Sequence, residues 1–333
     1  MRSRWHVIGM LLFTVFMAGC ASGASNQEIP SIANNSLQGM PSSEDEPFND
    51  DVLIIATGDM SGVYFPIGQA LAGIYERKKG VAVGTRVTDA SVENMALVGR
   101  KQADIGFSTA DVLDAAEQDI SRLRALTGFY PNYMQVVTTK ESGIYSLADL
   151  KGKRISTGKE GSGTKIMAER VLRAAGLAKQ DTYTYNMSFS QAADALRNGA
   201  IDAAFFSSGL PNPEITELAM EIPITLLPIS GEVADRLVGE FNVYTNGRIP
   251  QDLYAGNTKP VESITVPNVL LAHQDITDSE AYQLVESLYS NLPELQDIHP
   301  AVKTIKLTDA MDDIPVEYHP GALLYFKKQG FIH

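Results

Sequence analysis

The sequence predicts an α/β fold made of two lobes of similar design. The chain has 333 residues, short apolar strands alternate with amphipathic helices from residue 51 onward, and one motif recurs a hundred residues later. A chain of this length exceeds one ordinary domain of about 100 to 200 residues. Alternating strands and helices are typical of a mainly parallel sheet.

The charge balance excludes some partners. The chain carries 27 Lys and Arg against 40 Asp and Glu, for a formal net charge of −13. An acidic surface repels nucleic acid and an anionic membrane face. A small anionic ligand stays possible, because local backbone dipoles and hydroxyls can bind it whatever the average field.

Cysteine and histidine offer no metal site. Cys20 is the only cysteine, so neither an intramolecular disulfide nor a cysteine-clustered metal can form. The five histidines are not spaced three or four residues apart, as a helical metal site requires. We expect no metal and no cofactor.

The N-terminal segment predicts export and lipid anchoring. Arg2 and Arg4 precede an apolar run from Val7 to Met17, which is too short to span a bilayer, and Ala18-Gly19-Cys20 follows. These last residues resemble a bacterial lipobox, so residues 1–19 are predicted to be a lipoprotein signal peptide and Cys20 to be diacylated, for example with palmitate. Residues 20–50 are predicted to be a flexible tether holding the protein at the outer face of the cell membrane. An ordinary signal peptide with an incidental cysteine is the alternative.

Local patterns place the first elements. Val52 to Ala56 reads as a buried strand, and the helix after it should bury Ile67 and Leu71. Ser91 is predicted to cap the next helix, and a strand around Ile105 should end at Ser108-Thr109.

The recurring motif is the most informative feature. Ile55-Ala56-Thr57-Gly58 with Ser61-Gly62 recurs as Ile155-Ser156-Thr157-Gly158 with Ser162-Gly163, each before a helix. Asp104-Ile105-Gly106-Phe107 is matched by Asp202-Ala203-Ala204-Phe205. Each lobe should therefore present a Thr-Gly loop and a strand that ends at a serine, Ser108 in one and Ser207 in the other.

Two facing lobes of this kind define a cleft. Ligands bind at the carboxyl ends of strands in open α/β sheets. Met134 to Thr139 and Ile264 to Ala272 read as extended linkers, which assigns residues 51–139 and 264–333 to lobe 1 and residues 140–263 to lobe 2. The prediction is a periplasmic-binding-protein-like fold of type II, a Venus flytrap with a hinge of two connecting strands.

The loops suit binding better than catalysis. Gly158 to Thr164 lacks the Gly-Lys-Ser/Thr ending of a phosphate loop and the third glycine of a dinucleotide fingerprint. The sequence has no Gly-x-Ser-x-Gly elbow and no recognisable histidine triad. We expect a binding protein and not an enzyme.

Several stretches resemble the TAXI-type solute receptors of tripartite ATP-independent periplasmic (TRAP) transporters. They are Thr57-Gly58 through Gly68, Ser91-Val92-Glu93-Asn94, Ala103-Asp104 through Val112, Asp149 through Ile155, Gly161 through Thr164, and His319-Pro320-Gly321-Ala322. Asp59-Met60 and Thr109-Ala110 depart from the family pattern, which leaves specificity open.

The resemblance implies a receptor that closes on a small organic acid, an amino acid or a carboxylate, and delivers it to TRAP membrane subunits. A receptor for an ABC importer would have the same lobes and tether, and a lipid-anchored enzyme is the other alternative. The predicted ligand-binding residues are Thr57, Gly58, Ser61, Gly62, Tyr64, Asn94, Ser108, Thr109, Gly161, Ser162, Gly163, Thr164 and Ser207.

Overall fold

A computed structural model describes residues 52–332. The predicted signal peptide, the lipidation site at Cys20 and the tether lie outside the described residues. The strands are β1 (Val52–Ala56), β2 (Ala82–Arg86), β3 (Ile105–Thr109), β4 (Leu123–Thr139), β5 (Arg154–Ser156), β6 (Tyr183–Tyr185), β7 (Ala203–Ser208), β8 (Ile224–Leu227), β9 (Thr245–Ile249) and β10 (Val261–His273). The α-helices are α1 (Tyr64–Lys79), α2 (Ser91–Gly99), α3 (Ala110–Asp114), α4 (Gly163–Ala174), α5 (Phe189–Arg197), α6 (Pro213–Glu221), α7 (Gly231–Glu240), α8 (Asp278–Ser290), α9 (Leu292–Ile298) and α10 (Pro320–Lys328).

The strands form one mixed sheet in the order β2-β1-β3-β10-β4-β7-β5-β6. Parallel pairs lie toward each end of this order, β1 with β2 and β3 in the first lobe and β5 with β6 and β7 in the second. Helices that follow these strands cover the sheet, as in other parallel arrangements. The predicted α/β two-lobed fold is confirmed.

Two long antiparallel strands connect the lobes. β4 pairs with β10 from Leu123 to Tyr133 and then with β7 from Tyr133 to Thr138. β10 pairs with β3 in the first lobe, and its other end pairs with β9. β4 begins at Leu123, well before the predicted linker Met134 to Thr139, whereas β10 (Val261–His273) nearly coincides with the predicted Ile264 to Ala272. The exact bounds of the two lobes stay a prediction.

The repeated motif corresponds to repeated hydrogen bonding. The carboxylate of Asp104 accepts a hydrogen bond from the Ile54 N–H at 2.6 Å, and the carboxylate of Asp202 accepts one from the Arg154 N–H at 2.7 Å. Thr57 N–H donates to the carbonyl at the end of β2, and Thr157 N–H donates to the carbonyl at the end of β6. These bonds place the two Thr-Gly loops at equivalent ends of β1 and β5.

Each lobe is held by its own buried apolar residues. One cluster packs α1, α8 and α10 against β1 and β3, with Ile67, Leu71 and Phe326 completely buried. Another packs α5 and α6 against β7 through Phe206 and Ile215. A third cluster lies along the hinge strands and reaches both lobes. Within residues 52–332, no helix is long and apolar enough to cross a membrane.

The start of α2 differs from the prediction. Ser91 is the first residue of the helix, and Ala90 occupies the capping position with a φ of 79° and no side-chain cap. Instead, the backbone carbonyl of Gly161 in the second lobe accepts hydrogen bonds from the N–H groups of Val92 and Glu93, at 3.1 and 3.4 Å. A peptide group from the other lobe therefore does the work of the cap.

Candidate functional site

A cavity lies where the two lobes face each other across the hinge strands. Its volume is about 60 Å³, which exceeds the minimum of about 10–15 Å³ that a cavity needs to hold one water molecule. The lining residues are Gly58, Asp59, Gly62, Val63, Tyr64, Asp89, Ala90, Ser91, Thr109, Tyr130, Asn132, Lys159, Ser162, Gly163, Thr164, Met187, Ser188, Phe189, Ser207 and Ser208. The space fits a small solute.

Part of the predicted ligand-binding set lines this cavity. Those residues are Gly58, Gly62, Tyr64, Thr109, Ser162, Gly163, Thr164 and Ser207. They come from both lobes, so the two echoed loops do face one another. Close approach is required at Gly163, where an added Cβ would lie 2.7 Å from Thr109 Oγ1.

The other predicted residues lie in the wall behind the cavity. The Thr57 hydroxyl donates to the Arg86 carbonyl at 2.9 Å, and the Ser61 hydroxyl donates to Asp59 at 2.5 Å. The Asn94 amide donates to the carbonyls of Thr57 and Phe107, while the Ser108 hydroxyl donates to that of Ser91. These groups hold the loops in place through bonds within the protein, and Gly161 contributes the carbonyl at the start of α2.

Three helices begin at the cavity. α1 begins beside Val63 without a side-chain cap. α4 begins at Gly163, with the Ser162 side chain accepting from the Lys165 N–H, and α5 begins at Phe189, with the Ser188 side chain accepting from the Gln191 N–H. Residues at each of these starts line the cavity. Because the first N–H groups of a helix lack partners within it and carry partial positive charge, this arrangement favours a bound anion.

A lysine bridges the lobes at the cavity. Lys159 of the second lobe forms ion pairs with Asp59, at 3.4 Å, and with Asp89, both in the first lobe. Burial alone would raise the pKa of Asp59, but hydrogen bonds from Ser61 and the charge of Lys159 hold it below its usual value. Burial would also lower the pKa of Lys159, and its bonds to Asp89 and Asp59 raise it instead. Asp59 and Lys159 are therefore both charged near neutral pH.

A hydrogen-bonded chain of side chains forms the floor. The Tyr64 hydroxyl donates to Asn268 Oδ1, and Asn268 Nδ2 donates to Asn132 Oδ1 at 2.9 Å. Asn132 Nδ2 continues to the carbonyl of Ser207 at 3.4 Å. The chain runs from α1 across both hinge strands to β7, so it couples the first lobe to the second.

Sequence reasoning missed several lining residues. Tyr130 and Asn132 lie on β4 just before the predicted linker, and Ser188 and Phe189 follow β6. The loop after β6 is the counterpart of the Asp89–Ser91 loop after β2. Extending the sequence repeat to these two loops would therefore have identified Ser188 and Phe189. Lys159 directly follows the second Thr-Gly loop in sequence and lies between the lobes, where it pairs with Asp59. Among residues 52–332, no cluster of His, Cys, Asp or Glu could hold a metal ion.

The chain belongs to the NMT1-like family, whose profile matches residues 55–330. Its structure is similar to that of PhnD1 from Prochlorococcus marinus in complex with methylphosphonate, at 13% identity and a TM-score of 0.54, covering 85% of this chain and 99% of that one. It is also similar to a protein from Bordetella bronchiseptica RB50, at 18% identity and a TM-score of 0.52, covering 86% and 83%. An ABC uptake transporter substrate-binding protein from Streptococcus pneumoniae with bound histidine matches at 15% identity, with a TM-score of 0.47 and coverage of 74% and 91%.

These findings correct the family suggested by the short motifs. The profile that matches most of the chain is that of the NMT1-like family and not that of the TAXI receptors. The TAXI family assignment is therefore wrong, and the TRAP membrane subunits that it implied are not supported. Glycine-serine loops and the Asp-Leu-Lys-Gly-Lys segment occur in several families of binding proteins, so they identify the fold better than the family.

The bridge at Lys159 predicts a change in the shape of the empty protein. Replacing Lys159 by Met removes both ion pairs between the lobes, so the lobes should separate more readily. The charged groups are about one third exposed, so we expect about 1 kcal/mol, or roughly a fivefold rise in the ratio of open to closed protein. The measurement is the radius of gyration from solution X-ray scattering without ligand, which should increase.

Lys165→Met is the matched control, because Lys165 pairs with Glu160 and Glu169 within the second lobe. Its radius of gyration should equal that of the wild type. An unchanged radius in Lys159→Met would mean that the bridge does not hold the lobes together.

Proposed function

We propose that this protein is an extracytoplasmic solute-binding protein that closes on a small organic acid, an amino acid or carboxylate, and delivers it to an ABC importer. The observation that carries the proposal is the meeting of three helix N-termini at one small cavity between two lobes. Such termini stabilise a negative charge without a buried lysine or arginine.

The composition of the cavity wall supports an acid of modest size. Thr109, Thr164 and Ser207 line the cavity together with Gly62 and Gly163. A hydroxyl or a backbone N–H can donate to a carboxylate oxygen, and such charge-assisted bonds are stronger than neutral ones. The Gly62 N–H already donates to the Asp59 carbonyl at 2.9 Å and the Ser207 hydroxyl to Met167 Sδ at 3.6 Å, which leaves the Thr164 hydroxyl and the start of α4 as the candidate donors. The only lining cation in the described chain is Lys159, which Asp59 and Asp89 already neutralise. The charge of the ligand would therefore be met by dipoles.

The hinge supports capture by closure. β4 and β10 are continuous through both lobes, so a small change in their twist moves one lobe relative to the other. The bonds between Gly161 and the start of α2 form only when the lobes meet. A ligand that contacts both lobes would stabilise the same arrangement.

An ABC importer is the alternative partner that was predicted from the sequence. Two-lobed receptors with an exported, tethered chain serve such importers, and the similar structure from Prochlorococcus marinus holds a small organic anion, methylphosphonate. We propose that the predicted lipid anchor at Cys20 keeps the receptor beside its importer.

Binding of acids is the first test of this function. Succinate, pyruvate and L-aspartate are the probes, and succinamide is the uncharged control for succinate. We expect at least one acid to raise the unfolding temperature. A hundredfold excess of ligand over Kd adds about 2.7 kcal/mol to the free energy of unfolding. The measurement is thermal unfolding followed by calorimetry, and succinamide should bind at least about tenfold more weakly than succinate.

Mass spectrometry of the recovered solute completes this test. An unchanged acid supports a binding protein, whereas its conversion would favour the lipid-anchored enzyme. If none of the acids binds, the proposed ligand class is wrong.

Energy coupling tests the partner. Deleting the gene should abolish uptake of the radiolabelled acid that binds best, and uptake by wild-type cells should persist when an ionophore collapses ion gradients while cellular ATP is maintained. The matched condition depletes ATP and keeps the gradient, which should stop uptake. The opposite pattern would rule out an ABC importer.

Lipid labelling tests the anchor. Wild-type protein should incorporate labelled palmitate, and Cys20→Ala should lose the label, because the thiol is the acylated group. Ser22→Ala is the control and should be labelled normally. Two acyl chains give stable attachment where one is marginal, so the Cys20→Ala protein should also leave the membrane fraction. Equal label in both variants would contradict the assignment.

A further inference from the structure

Tyr130 is a fully buried residue of the cavity lining. Its exposed fraction is 0%, and within residues 52–332 its Oη has no hydrogen-bond partner. Native proteins pair nearly all such groups, because a buried hydroxyl without a partner loses its bonds to water and gains none in return. An unpaired hydroxyl on a residue that lines a cavity therefore points to a ligand atom.

The surroundings fix the ring of Tyr130 in this position. Phe129 packs beside it, with ring centroids 5.2 Å apart. Gly209, just after β7 in the second lobe, leaves room for it, since a Cβ there would lie 2.9 Å from Tyr130 Cε2. The backbone carbonyl of Tyr130 accepts a hydrogen bond from Asn268 Nδ2 at 2.5 Å. The floor of the cavity thus positions the hydroxyl before any ligand arrives.

Thr109 is a second buried residue of the cavity lining that carries a hydroxyl. Its hydroxyl is directed to the buried Asp111 carboxylate and works against the burial that raises the pKa of Asp111. Thr109 pairs with Asn268 across β3 and β10, and Asn268 donates a hydrogen bond to the Tyr130 carbonyl on β4. Of these two lining residues, Tyr130 is the one whose hydroxyl has no polar group directed to it.

We propose that Tyr130 is a specificity-determining residue whose hydroxyl donates a hydrogen bond to an oxygen of the bound acid. This inference rests on the proposed function. Burial raises the pKa of Tyr130 well above its ordinary value, so the group keeps its proton and acts as a donor. A site built to hydrogen-bond an oxygen rejects an analogue that lacks it, because the site's own polar group is then left unpaired. Tyr130 would thereby select oxygen-bearing ligands over apolar ones of equal size.

The experiment compares two identical substitutions. Tyr130→Phe removes the unpaired hydroxyl from the cavity, whereas Tyr75→Phe removes an equally buried hydroxyl that donates to the Leu284 carbonyl at 3.3 Å in the first lobe. Calorimetry with succinate, pyruvate and L-aspartate gives affinities, and thermal unfolding without ligand gives stability. Tyr130→Phe should weaken binding by about tenfold or more without lowering the unfolding temperature. Tyr75→Phe should bind normally and unfold at a lower temperature.

The outcomes separate this inference from the proposed function. If the wild type binds an acid and Tyr130→Phe binds it equally well, Tyr130 is not a determinant, and the function stands. If Tyr130→Phe unfolds at a clearly lower temperature, its hydroxyl is structural, and the inference is overturned. If the wild type binds none of the three acids, the proposed ligand class fails, and this inference fails with it.

Discussion

The pairing of β4 with β10 is the constraint on which the rest of the structure depends. These antiparallel strands form the middle of the sheet and belong to both lobes. Asn268 on β10 is completely buried, and its amide bonds to Asn132 and to the Tyr130 carbonyl while its oxygen accepts from Tyr64. A buried amide is stable only when it is paired, so this side chain keeps the two strands and α1 in one register.

Much of the fold is readable from the sequence because its determinants are local. A Thr-Gly turn after an apolar strand, and an aspartate placed to accept the N–H of a neighbouring strand, act within a few residues or across one strand pair. The Thr-Gly turn occurs at Thr57 and Thr157, and the aspartate occurs at Asp104 and Asp202. The two similar lobes could therefore be predicted. The family could not be read from the same pieces, since they belong to the fold and are shared by several groups of binding proteins.

The site was less predictable because its residues meet only after the lobes have closed. Lys159 looks like an ordinary surface charge until Asp59 and Asp89, on the other lobe, come within reach. Tyr130 looks like one more core residue of a buried strand, since nothing nearby in sequence shows that it lines a cavity or that its hydroxyl is unpaired. Ser91 was expected to be a cap on local grounds, but a carbonyl from residue 161 performs that role. Contacts between distant segments decide each of these cases.

The two hydrogen bonds that the Gly161 carbonyl accepts from the first turn of α2 have a kinetic consequence. Closure satisfies two backbone N–H groups whether or not a solute is inside, so part of the driving force for shutting the cleft belongs to the polypeptide itself. In the proposed function, a solute would enter only molecules that are open at that instant and would leave only when these two hydrogen bonds break again. The same peptide group would therefore slow both binding and release of the solute, which would lengthen the lifetime of the complex and reduce the rate at which it forms.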